Sequence, residues 1–584
     1  MLGALVLLVL LIHVARVWDQ PIRGEESRWA EGGIEMLRGG DWIVPTQQGT
    51  VFPERPPLNS WLMAIFSVAL GEMSPLAVRL PSVLAVVGTA ALIYGYLRRW
   101  LPASGAFLGG GVFATMGQVL QLGHLGESEA VLTALIGLSL LGWHDAWLDG
   151  RETRAWLIGF SAAGFAALTK GLQGPIYFVA VSGMFLLLQG WREPLRVLRT
   201  KGAWLGLASM ALIIGAWAIP FWLRTDGATM RAIWTGLVAD RVTLSGLAQH
   251  LGSYPLELLG CLLPWSLFLI PLAQRDVREV LGRYSPAVRF ALLALAVTFP
   301  SVWLVTGARG RYYMPLYPVA AVGLALVAWS TWQGVRTSTT QRAWWRFVLV
   351  IGLISMGLGG VIGLGPFFSD AVLVPAAAPI GASLVGVICL LLGITLCGLV
   401  WLSRQRSGSE PVAEQRSNHR WVFGSLLGVL LALGWIDGAF IVSRDLEHGD
   451  VVWSEVESLR QALPADTDLV SFGPVHHRFM YHWRDAIELR SWPESCDVIP
   501  PGDYFVIDYT PGDTPEKRAS GRGRDWSFTS GTLPFRWELV RAIPLDREYQ
   551  ASGNWVLVGR VLRNDSGAVI ATAQGVPSFE SLTR

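Results

Sequence analysis

Long unbroken apolar runs, rather than the alternation of a half-buried surface, set the pattern of this chain from its first residue to about residue 442. Crossing a bilayer takes about 20 apolar residues, and about thirteen runs approach that length. They fall near 1–17, 75–97, 103–121, 128–147, 155–171, 173–190, 203–222, 255–273, 287–305, 313–331, 347–364, 379–402 and 420–442. The polar positions between them sort by charge. Arg98/Arg99, Arg151/Arg154, Arg192/Arg196/Arg199/Lys201, Arg275/Arg278/Arg283, Arg336/Arg342/Arg346 and Arg404/Arg406/Arg416/Arg420 all fall in alternate loops. An excess of Lys and Arg marks the cytoplasmic side. That leaves the first loop (18–74), the segment around Glu127 and Glu129, the stretch 223–254, the turn 307–313 and the tail facing outward.

The pattern changes in the tail. D-L-V-S-F-G, Y-F-V-I-D-Y and W-V-L-V-G-R-V-L are short strand-like runs separated by turn residues, so 443–584 is expected to be a small soluble α/β domain. The expected order is a transmembrane catalytic region over 1–402, a polar cytoplasmic linker over 403–419, a last transmembrane helix over 420–442, and the external domain. The apolar start resembles a signal peptide, but no basic region precedes it and no small-residue cleavage site follows, so it is read as a retained helix.

Composition agrees with a polytopic membrane protein. Of 584 residues, 52% are hydrophobic and 15% charged, with mean hydropathy +0.43; soluble domains carry about 25% charged residues. A net charge of +2 gives no reason to expect nucleic acid. Cys261, Cys389 and Cys397 lie in apolar segments and Cys496 stands alone in the tail, which excludes a disulfide framework or a CxxC metal site. The 28 tryptophans suit interfacial anchoring and core packing, with a minority able to stack on sugar faces.

Candidate chemistry concentrates in the first loop. It reads E-E-S-R-W-A-E, then G-D-W-I-V-P, then E-R-P-P-L-N-S-W, then A-V-R-L-P-S, and so places Glu25, Glu26, Arg28, Arg55 and Arg79 at a membrane surface, where charge is costly. Residues 25–36 suit an interfacial helix with Trp29 at headgroup depth, and two acids at its start also fit a plain macrodipole role. Arg55, Arg79, Lys170, Arg241, Arg309 and Arg311 defy the charge bias on the outer side. A shared anionic ligand explains them, and so does contact with outer-leaflet phosphates.

These motifs, in this order, resemble the first external loop of the GT-C-fold glycosyltransferases of the protein mannosyltransferase (glycosyltransferase family 39) and aminoarabinose transferase type. Downstream, E-A-V-L (129–132), A-L-T-K-G (167–171), L-P-W-S (263–266) and G-R-Y-Y-M-P-L-Y-P (310–318) extend the resemblance over about 20–320. It implies an inverting transferase that takes a sugar from a polyprenyl phosphate, such as undecaprenyl phosphate, at the outer face of the cytoplasmic membrane. Carried onto this sequence, Glu25 stands at the family's catalytic aspartate, Glu26 follows as its glutamate and Arg28 matches its arginine. Arg55 replaces a lysine before the two prolines, Lys170 matches the lysine of T-K-G, and Glu129 stands where a second acid is usual. The departures are Glu for Asp at 25 and 129, and L-Q-G-P in place of G-P after Lys170.

The implied chemistry has Glu25, with Glu26, acting on the acceptor's proton while Arg55, Lys170, Arg309 and Arg311 hold the donor phosphate as charge develops on it. Arg28, Arg79 and Glu129 support them. Retention of configuration would instead need a carboxylate nucleophile, and Glu129 is the one to test. No cofactor is called. A divalent ion at Glu127 and Glu129 near Glu25 is possible but not signalled, since the cations already suffice for a phosphate monoester, and His476, His477 and His482 without spaced acids or cysteines read as surface or core histidines rather than metal ligands. The expected partners are a lipid-linked sugar donor, a lipid, glycan or protein acceptor, and the membrane itself. The competing readings are a lipid-linked saccharide transporter or flippase, and a membrane-anchored assembly protein. Charges that fall in loops, with Asp276 and His144 expected in cytoplasmic loops, count against a translocation path.

Overall fold

The computed structural model describes residues 1–14, 17–52, 54–239, 246–333, 338–364, 379–406, 415–438, 451–464, 467–493, 503–509, 533–545, 555–564 and 569. The chain divides into two compact units, Met1–Gln20 with Pro53–Glu447, and Pro21–Phe52 with His448–Arg584. The first is a multi-pass membrane body. Arg241 and Cys496 lie outside the described residues.

In the membrane body, Pro75–Leu97, Ser128–Leu148, Lys201–Arg224, Ser285–Trp303, Gly310–Thr331, Trp344–Gly363 and Gly386–Ser403 are long and apolar enough to cross a membrane. Leu2–Val14, Leu58–Leu70, Ala103–Ala114, Gln173–Gln189 and Phe423–Ile436 are shorter apolar helices. The run expected over 255–273 is not one straight span: the helices Leu247–Cys261 and Trp265–Ala273 meet at 110°. Pro264 lies between them and offers no N–H to continue the first helix. Within the first loop, Leu58–Leu70 is helical, and the stretch 223–254 holds the helix Gly227–Ala239 and the start of Leu247–Cys261. His144 also departs from the expected loop. It is buried in the helix Trp143–Leu148, where its Nδ1 meets the Tyr96 hydroxyl at 2.6 Å and its ring stacks on Phe290.

Helix order follows from local chemistry. Ser74 caps the Pro75–Leu97 helix by accepting from the Ala77 amide, and Pro75 fills the first turn, where its missing N–H costs nothing. The Glu152–Lys170 helix packs on Lys201–Arg224 through glycine: a Cβ at Gly206 would stand 2.6 Å from the Trp156 carbonyl and 2.8 Å from the Phe160 ring. Glycine permits that approach.

The second unit is polar outside and apolar within. The helix Glu26–Gly39 is followed by a hairpin of β1 (Thr46–Gln47) and β2 (Thr50–Val51). The tail adds a five-stranded mixed sheet of β3 (Val470–Phe472), β4 (Glu488–Arg490), β5 (Tyr504–Tyr509), β6 (Trp537–Pro544) and β7 (Trp555–Val561), ordered β4-β3-β5-β7-β6. β3 runs parallel to β4 and β5, and the other pairs are antiparallel. Alternation along the strands gives the sheet two apolar faces. Val506, Val556 and Val558 pack with the helices Val451–Ala462 and His477–Trp483, while Phe505, Ile507 and Leu557 pack with Phe472 and Phe535.

Candidate functional site

In the membrane body the cations converge on two acids. Glu129 stands in the first turn of the Ser128–Gly137 helix, with Glu127 just before it. Lys170 ends the helix Glu152–Lys170, whose cap is Gly171 at φ +79°, a left-handed position that glycine takes freely. Lys170 Nζ donates to Glu129 Oε1 at 2.6 Å, and the side chains are only 10% and 5% exposed. Ser128 Oγ donates to the other Glu129 oxygen at 3.3 Å. Arg311 Nη1 donates to Glu127 Oε2 at 3.0 Å. Both cations face the Tyr312 ring, at 5.2 Å from Lys170 and 5.7 Å from Arg311. Arg55 acts on the same Glu129 carboxyl electrostatically. Charges this buried persist only when paired and hydrogen-bonded, so Glu127 and Glu129 serve here as the counter-charges of Arg311 and Lys170.

The other sequence candidates in this body divide. Arg79 is fully buried, and its guanidinium donates to the Val17 and Gln20 carbonyls at 2.9 and 2.8 Å, tying the chain after the first helix to the Pro75–Leu97 helix. Arg309 is exposed, and its carbonyl accepts from the Tyr254 hydroxyl.

Glu25, Glu26 and Arg28 belong to the second unit. Glu25 is the residue before the Glu26–Gly39 helix; its carboxylate makes no cap bond but pairs with Arg28 at 2.7 Å and keeps 35% exposure. Glu26 is buried and accepts from the Arg23 amide at 3.1 Å. Trp29 is buried against Phe52 within this unit, because the helix turns its apolar side to its own hairpin segment. Next to it, Ser27 Oγ meets His477 Nδ1 at 2.7 Å, Gln48 Oε1 accepts from the Val475 amide at 2.7 Å, and the His476 amide donates to Asp508 at 3.1 Å. Burial, then the nearby Arg28 and Arg478, holds His476 down to about 3, and burial likewise keeps His477 neutral. Burial pushes the Asp508 and Glu31 carboxyls well above the usual range. Both histidines are therefore parts of a packed core.

Comparison with known proteins bears on the arrangement. Residues 54–220 match the family described as dolichyl-phosphate-mannose-protein mannosyltransferase. The crystal structure of ArnT from Cupriavidus metallidurans bound to undecaprenyl phosphate superimposes with a TM-score of 0.68, covering 95% of this chain and 97% of that one at 16% identity. The fold is GT-C. The likeness to the protein mannosyltransferase and aminoarabinose transferase type, read above from the loop motifs, stands. An undecaprenyl phosphate-alpha-4-amino-4-deoxy-L-arabinose arabinosyl transferase of Pseudomonas aeruginosa (strain LESB58) is 31% identical over 316 residues, which is 52% of this chain and 55% of that protein. One of the same name from Aeromonas hydrophila is 25% identical over 441 residues, 74% and 75% of the two chains. The chain spans about half the length of the first of these relatives.

Within this GT-C body, sequence reasoning missed Tyr312 as the ring shared by the two cations, although it lies inside the quoted G-R-Y-Y motif. It also missed Glu257 and Tyr254, which hold the backbone beside Arg309. An acid on an otherwise apolar helix, L-E-L-L, was the available signal for Glu257.

Proposed function

We propose that this protein is an inverting glycosyltransferase that moves a sugar from a polyprenyl-phosphate carrier to an acceptor at the outer face of the cytoplasmic membrane. One observation carries the reading: Lys170, Arg311 and Arg55 converge about Glu127 and Glu129 at one place in the membrane body, and a cluster of cations is what a departing phosphate needs as its charge grows. The anion proposed there is a lipid phosphate. The names of the relatives, which include undecaprenyl phosphate, support the same donor class.

The reaction balances simply. The acceptor oxygen bonds to the anomeric carbon, the bond from that carbon to the phosphate oxygen breaks, and the carrier leaves as polyprenyl phosphate with added negative charge. Lys170 as a point charge, and Arg55 and Arg311 as planar forks, with Arg309 near them in sequence, stabilise that charge as it grows. Glu25 takes the acceptor's proton, with Glu26 supporting it. A single displacement of this kind inverts the anomeric centre.

The test is a transfer assay in nanodiscs with a panel of undecaprenyl-phosphate sugars, comparing native protein with Glu25→Gln and Arg55→Ala. We expect release of undecaprenyl phosphate from at least one donor, a loss of about 10²–10⁴-fold in Glu25→Gln, and a raised donor KM in Arg55→Ala. Consumption of no donor by native protein would turn the reading toward a transporter. Native-like turnover in Glu25→Gln would remove that residue from the chemistry.

A further inference from the structure

One side of the Leu247–Cys261 helix runs beside residues 302–310 and bonds to their backbone. His250 Nε2 donates to the Val302 carbonyl at 3.3 Å, the Tyr254 hydroxyl donates to the Arg309 carbonyl at 3.3 Å, and Glu257 Oε1 accepts from the Gly310 amide at 2.6 Å. In return, the Trp303 indole donates to the Leu251 carbonyl at 2.9 Å. Positions 250, 254, 257 and 261 follow the helical repeat, so a single face supplies every one of these side-chain contacts. Residue 310 must also be small: a Cβ there would stand 2.6 Å from Cys261 Sγ and 3.1 Å from Glu257 Oε1. The segment so held carries Arg309 and Arg311 and opens the short 3₁₀ helix Gly310–Leu316.

Glu257 is the one acid of the Leu247–Cys261 helix, and its carboxylate is engaged by the Gly310 amide. An amide–carboxylate bond is among the stronger hydrogen bonds. Gly310 is the first residue of its short helix, where the amide has no partner within the helix, so Glu257 supplies the acceptor and fixes where that helix begins. We infer that Glu257, with Tyr254, is a positioning residue: it sets the register of the 309–311 segment so that the Arg309 and Arg311 guanidinium groups face the donor phosphate. This rests on the reading of these arginines as phosphate ligands.

The test separates position from charge. Glutamine keeps an acceptor oxygen for the Gly310 amide and loses the charge, whereas alanine loses both. We expect Glu257→Ala to raise the KM for the undecaprenyl-phosphate sugar about tenfold, the scale of one lost charge-assisted bond, with kcat within about twofold of native by the same reasoning. Glu257→Gln should restore KM to within about threefold. Hydrogen exchange of the peptide spanning residues 305–313 should quicken in Glu257→Ala and not in Glu257→Gln. Should Glu257→Ala fold poorly, Gly310→Ala keeps the carboxylate and should show the same KM-specific defect. Equal loss of kcat in both Glu257 variants would make the charge itself part of the chemistry and overturn the inference, as would native-like KM and exchange in Glu257→Ala. If native protein consumes no polyprenyl-phosphate donor, the functional reading fails and the phosphate role falls with it, while exchange still reports whether Glu257 holds the segment.

Discussion

Lys170 and Glu129 neutralise one another at 2.6 Å with almost no solvent access, so removing one leaves the other as an unpaired buried charge. Lys170→Met should lower stability by about 3–5 kcal/mol. Lys170→Met with Glu129→Gln should recover most of that loss in thermal unfolding while donor turnover stays absent, because the cation remains missing. Recovery of turnover in the double variant would take Lys170 out of phosphate binding. The same pairing bears on Glu129 as a nucleophile, since an oxygen bonded to an ammonium group is a poor one. His476 makes a pH prediction. It is held at about 3 in the folded chain against an ordinary 6.5, so between those values the unfolded chain binds a proton that the native one does not. Stability from neutral His476 is thus complete above about 6.5 and drains away as the pH falls toward 3. The stability gap between native protein and His476→Gln should therefore narrow from pH 7 to pH 4, measured by hydrogen exchange across β3 and β5. Lys170 and Arg311 were visible as charges within the quoted motifs. Their counter-ions were not, because which acid meets which cation is decided by helix packing between residues 41 and 184 positions apart.

At the scale of elements, the helix that ends in Lys170 is located by its seam with Lys201–Arg224. Gly206 lies on that seam with no room for a methyl group, so Gly206→Ala should push the helices apart at a cost of about 1–3 kcal/mol. Because Lys170 rides on the displaced helix, the donor KM should rise as well. Thermal unfolding in nanodiscs and the transfer assay read the two effects, and a stability loss without a KM change would mean that the helix bends locally instead of shifting as a rod. Apolar run length made most of these helices legible before any coordinates. The Leu58–Leu70 helix was hidden by its shortness and its place in a charged loop, and the 110° bend after Cys261 was hidden because hydropathy measures how long a run is, not which way it points.

For the whole molecule, the chain crosses between its two bodies in a way that strand patterns in the tail do not reveal. The sheet in the tail was legible from its short strand-like runs, yet the compact unit also takes in Pro21–Phe52, which precedes it by some 400 residues of membrane body. The reason is buried polar chemistry. Ser27 meets His477, and Gln48 bonds both the Val475 amide at 2.7 Å and the Ser471 hydroxyl at 3.0 Å, at positions where a lost partner would leave polar groups unsatisfied in the core. Each orphaned group costs about 1–3 kcal/mol, and domains are stable by only about 5–15 kcal/mol. A polypeptide of residues 448–584 should consequently unfold at low denaturant or aggregate, whereas one joining 21–52 to 448–584 through a short Gly/Ser linker should give a cooperative transition by circular dichroism. Equal stability of the two would mean that the helix Glu26–Gly39 is a guest on a finished domain. A stable joined form alone would mean that the loop bearing Glu25 is folded by the tail, so that changes in the tail reach the proposed base through the fold that holds it.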